Sequence, residues 1–71
     1  MKKFLIVIEK TPHGFSSFSP DLPGCIATGK TKKTVEKRMK EAMEFHLEGL
    51  LTEGEKIPQS HSYSKYCHVN P

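Results

Sequence analysis

"FSPDLPGC", residues 18–25, decides how the chain is folded, because it is either a reactive loop or a corner between two strands. Two prolines, a glycine, a carboxylate and a thiol share these eight residues. As chemistry, Asp21 and Cys25 are candidate reactive groups. As backbone, every residue has a simpler task. Ser19 precedes proline and is biased towards extended conformation, which ends a strand. Pro23-Gly24 has the sequence of a type II turn, with proline at its second position and glycine at its third. Cys25 then enters the next strand as a small buried group, and Asp21 bonds nearby backbone as a turn residue. The corner reading makes the strands on either side antiparallel neighbours.

Working back from the corner, FSSFS (15–19) is the strand entering it. Thr11-Pro12-His13-Gly14 is a turn, with proline setting one dihedral and glycine permitting positive φ. KFLIVIEK (3–10) is rich in β-branched and aromatic residues and is short and charge-flanked, which favours a strand. Working forward, CIATG (25–29) is a third short strand. The result is a three-stranded antiparallel meander.

The helix follows. Thr31 is the expected N-cap. Val35, Met39, Ala42, Met43, Leu47 and Leu50 recur at spacings of three and four and form one apolar stripe. Lys33, Lys37, Lys40, Glu44 and Glu48 fall on the opposite side. Gly54 is the expected stop. Gly49, inside the pattern, costs up to about 1 kcal/mol relative to alanine and is expected to mark close packing. The fold class is therefore α+β, one long helix on a meander, with residues 1–58 as the domain. Residues 59–71 read as a polar tail, with a further edge strand expected at 66–69.

Size and composition narrow the function. A chain of 71 residues is one domain, and a domain this small buries only ~60% of its unfolded surface. Phe4 to Ile8 are all apolar, so both faces of the first strand seek burial. One helix covers one face. The other needs a second copy or a different protein, which predicts a homo-oligomer or an obligate complex. The basic start and apolar run of MKKFLIVIEK are too short for a signal peptide, whose core needs ~7–15 apolar residues. No stretch approaches the ~20 apolar residues of a membrane span. A cytoplasmic protein is expected, and the two cysteines are expected to stay reduced.

Candidate chemistry is thin. Cys25 with His46 would need a thiolate with a base in reach; a buried small residue and a half-buried core histidine are the simpler readings. His61, Cys67 and His68 lack the spacing of a zinc site. Glu9, Asp21 and Glu36 would have to converge to hold catalytic metals; strand-end and turn roles suit them better. No cofactor is implied. The formal net charge is +3. Lys30, Lys32, Lys33, Lys37, Arg38 and Lys40 crowd the helix start, as a solvated face or as a docking patch for phosphate or an acidic surface. Phe45 lies off the apolar stripe, and an exposed helical aromatic often belongs to an interface.

Several stretches together resemble the HicB-like antitoxin domain family: the strand FLIVIEK, the loop PDLPGC (20–25), Thr31 opening the helix, HLEGL (46–50), and the GEKIP segment (54–58). The resemblance covers about residues 3–58. It implies a partial RNase H-like fold of order β-β-β-α-β. It also implies a role as the antitoxin of a type II pair, which binds a small HicA-like mRNA-cleaving toxin and masks its catalytic histidine, without turnover. Family members commonly form dimers or tetramers. Three features depart from the pattern. Many members continue into a C-terminal DNA-binding domain, whereas this sequence closes at Pro71, so direct DNA binding is not expected. The helix start is lysine-rich where the family's is often acidic. The acidic metal-binding set of true nucleases is missing, and fold alone does not confer activity. Asp21, Leu22 and Phe45 are the expected partner contacts. The alternative is a nucleic-acid-binding or oligomeric interaction module with no toxin partner.

Overall fold

A computed structural model describes residues 2–71. Three strands form an antiparallel sheet in the order β1-β2-β3: β1 (Val7–Thr11), β2 (Gly14–Phe18) and β3 (Ile26–Gly29). One helix, α1 (Lys32–Thr52), follows. The meander and the long helix are therefore as expected. Residues 55–71 form no helix or strand, so the edge strand expected at 66–69 is not formed.

The first strand starts later than its apolar content predicts. Residues 3–6 lie outside β1 because their partner runs out. Val7 pairs with Phe18, the last residue of β2. Ser19 then meets Pro20, which has no N–H to continue a ladder. The Ser19 hydroxyl takes over, donating to the Leu5 carbonyl at 2.8 Å.

The β1–β2 connection is a two-residue loop, Pro12-His13, between paired Thr11 and Gly14. Such loops favour turns with positive φ at the first central residue, which proline forbids. Gly14 absorbs the mismatch with φ +152. A Cβ there would also collide with the Gly29 carbonyl across the sheet, so the position requires glycine.

The corner is two consecutive turns. The Leu22 N–H donates to the Ser19 carbonyl at 3.2 Å, and the Cys25 N–H to the Leu22 carbonyl at 3.2 Å. Gly24 has φ +88, the positive value that the third position of a type II turn demands. The first turn drives Leu22 inward, where it is fully buried with Cys25 and Met39. Phe4, Ile6, Ala27, Met43 and Leu47 pack around this cluster.

Thr31 caps the helix as expected: its Oγ1 accepts the Thr34 N–H at 3.1 Å. At the other end Glu55 N–H bonds the Leu50 carbonyl at 2.9 Å and Gly54 N–H the Leu51 carbonyl at 3.1 Å. This is a Schellman closure with Gly54 just past the last turn. The apolar stripe faces the sheet, with Val35 and Met39 fully buried. Gly49 corrects an expectation: nothing approaches its Cβ position, so it marks no close packing. Among the described residues, no helix is long and apolar enough to cross a membrane.

Candidate interaction surface

The register sorts the sheet's side chains by face, since directly paired residues share one. Ile8, Ser17 and Ala27 form a row towards the helix, where Ser17 is buried. Val7, Phe18 and Ile26 form the neighbouring row on the opposite face. Among the described residues, no helix or strand packs on that face, and Val7 there is half-buried. Ile26 is 71% exposed and Phe18 40%. Sequence pattern had identified the doubly apolar first strand, but Phe18 and Ile26 join its outer face only through the pairing register. Phe45 projects from the helix at 78% exposure, in keeping with its place off the stripe.

The other two expected partner contacts sit differently. Leu22 is a core residue with no exposed surface, so its side chain is withdrawn from any partner of the folded chain. Asp21 bonds the distant tail in place of the neighbouring backbone. Its Oδ2 accepts the N–H groups of His61 at 3.0 Å and Ser62 at 2.9 Å, and its Oδ1 accepts the Ser62 hydroxyl at 3.0 Å. The Ser62 backbone bond, foremost, holds the carboxyl below its ordinary value; partial desolvation opposes it, and the Ser62 hydroxyl and His61 add to the lowering. The docked tail brings Ser60, Ser62 and Tyr63 beside Phe4, Leu5 and Ile6, around a groove of about 400 Å³. No residue pattern foretold this contact, because it joins positions 40 apart.

The candidate reactive groups are placed as follows. Cys25 is 5% exposed, and burial pushes its thiol up, away from the thiolate a nucleophile needs. Cys67 is exposed, and both cysteines are free. Among the described residues, no three His, Cys, Asp or Glu side chains come together as a metal site. Glu9, Asp21 and Glu36 accordingly form no such cluster.

Comparison with known proteins agrees with this architecture. A family described as "HicB_like antitoxin of bacterial toxin-antitoxin system" matches residues 4–70. An uncharacterized 14.9 kDa protein of Haemophilus phage HP1 is 39% identical over 61 residues, which are 86% of this chain and 46% of the phage protein. The chain thus spans about half the length of that relative. A UPF0150 protein of Thermoplasma acidophilum is 38% identical over 68 residues, covering 94% of this chain and 99% of the relative. Among solved structures, a chain of a "HicA3 and HicB3 toxin-antitoxin complex" superposes with a TM-score of 0.66 at 34% identity, over 83% of this chain and 72% of that one. The sheet, the helix and the sequence match together place the chain in the HicB-like antitoxin family of bacterial toxin-antitoxin systems.

Proposed function

We propose that this chain is the antitoxin of a type II pair and acts by binding a HicA-like mRNA-cleaving toxin and covering its catalytic site. The observation that carries this is the apolar row Val7–Phe18–Ile26, with Phe18 and Ile26 exposed, supported by likeness to a protein solved in a HicA–HicB complex. The action is stoichiometric occlusion in the cytoplasm, where mRNA is found, with no turnover and no cofactor. On this reading the β-β-β-α unit is a partial RNase H-like fold, without the last strand of the β-β-β-α-β order, used for binding. A basic toxin would be repelled by the lysines of the helix start, whereas the open sheet face lies on the other side of the sheet. On this reading the toxin docks on the open face, and Phe45 on the helix and the Asp21 corner are contacts beyond it. The free edges of β1 and β3 offer unpaired backbone groups for self-association into a dimer or tetramer.

The test is co-expression with the small basic protein encoded beside it. Growth arrest by that neighbour is expected to be relieved by the wild-type chain. Ile26→Glu is expected to fold and to lose both rescue and co-purification. Unrelieved toxicity with the wild-type chain, or full rescue by Ile26→Glu, overturns the reading.

A further inference from the structure

At the hairpin end of the sheet, beside the first two turns of α1, lies a cleft of about 560 Å³. Its charged lining is basic, Lys30 before the helix and Arg38 on it, and the His13 imidazole joins them from the β1–β2 loop. Thr11 and Thr34 add hydroxyls, and Phe15 supplies an aromatic wall. Arg38 is already positioned, since its Nη1 donates to the Thr28 carbonyl at 3.0 Å. The remaining guanidinium donors are left for a ligand, in the planar fork that suits phosphate oxygens. The helix start adds to the field. Its first turn carries no acidic residue to neutralise the positive end of the helix dipole.

We propose that this cleft binds a nucleoside phosphate, with the phosphate held by Arg38, Lys30 and His13 and the base against Phe15. Two cations, an imidazole and hydroxyl donors together exceed what one carboxylate of an acidic peptide uses. The volume falls in the ~300–1,000 Å³ range of small-molecule sites, well beyond a bare oxyanion. An aromatic wall beside cations is the pairing by which proteins hold a base and its phosphate together. The phosphate has two possible sources, a free nucleotide or an RNA strand. The cleft shares no lining residue with the row Val7–Phe18–Ile26, and its test is read on the chain alone.

The experiment is an amide chemical-shift titration of the full chain at low salt. The probes are 5′-AMP, orthophosphate, adenosine, a short single-stranded RNA and a tetraglutamate peptide. 5′-AMP and the RNA are expected to move Thr11–Phe15, Thr28–Lys30 and Thr34, orthophosphate to move the same amides more weakly, and adenosine to move none. Tighter RNA than 5′-AMP binding identifies a strand as the source, and the reverse identifies a free nucleotide. Arg38→Gln is expected to weaken 5′-AMP by about tenfold or more, the loss of a charge-assisted contact. Lys56→Gln, an equal charge change in the exposed segment after the helix, is expected to leave it within about twofold. Arg38 is exposed, and a thermal melt confirms that its variant folds. Three results overturn the proposal: no shifts with any phosphate probe, equal weakening by both variants, or tetraglutamate binding as tightly as 5′-AMP.

Discussion

Asp21 holds Ser62 with both carboxylate oxygens, one taking its N–H and the other its hydroxyl. This single side chain ties the tail to the corner between β2 and β3. The depressed pKa gives the contact a defined pH response. A carboxylate whose folded value lies below its ordinary 3.8 contributes stability above that value and loses it as pH falls through the folded value. The tail is therefore expected to stay docked at neutral pH and to release on acidification below 3.8. The Ser62 amide shift, followed against pH, reads the release. Asp21→Asn is expected to weaken docking at neutral pH and to abolish this acid transition. An unchanged transition in the variant refutes the assignment.

Gly49 lies in the helix with open space at its Cβ position. Gly49→Ala is expected to stabilise the fold by about 0.5–1 kcal/mol, chiefly by restricting the unfolded chain. Urea denaturation measures it, as a raised midpoint at constant slope.

Two buried serines are expected to respond in opposite directions. Ser17 Oγ is buried and has no hydrogen-bond partner among the described residues, whereas the Ser19 hydroxyl bonds the Leu5 carbonyl. Ser17→Ala removes an unsatisfied group and is expected to be neutral or stabilising. Ser19→Ala strands an acceptor at the end of the ladder and is expected to cost about 1 kcal/mol or more. Equal destabilisation by the two variants contradicts this account.

Leu22→Ala and Met39→Ala each empty part of the same buried cluster. Each is expected to cost about 2–5 kcal/mol, a large share of the marginal stability of so small a domain. Any loss of binding to the proposed toxin partner by Leu22→Ala is expected to track unfolding. Phe45→Ala is expected to leave the melting temperature nearly unchanged and to weaken the complex. A Leu22→Ala protein that remains folded but no longer binds returns Leu22 to the interface.

Much of the architecture was legible in residue order because it rests on local physics. Thr31 as cap, the stripe from Val35 to Leu50, Gly54 as stop and the Pro23-Gly24 turn each follow from a few adjacent residues. The same proximity rules misjudged Gly49 and residues 66–69. Leu22 lies between two prolines, and its burial depends on the two consecutive turns that fold it into the core. A glycine on a helix reads as close packing until the neighbouring face proves empty. A β-prone tail becomes a strand only if an edge pairs with it.

The sequence by itself determined the meander, the helix and the family, because turns, caps and hydrophobic period are encoded within a few residues of one another. Tertiary structure alone decided which side chains meet across larger separations. Pairing register set Phe18 and Ile26 beside Val7, two turns buried Leu22, and Asp21 reached Ser62. It also gathered His13, Lys30 and Arg38 around one cleft. Each of these depends on the relative placement of elements, which packing fixes and no local pattern records.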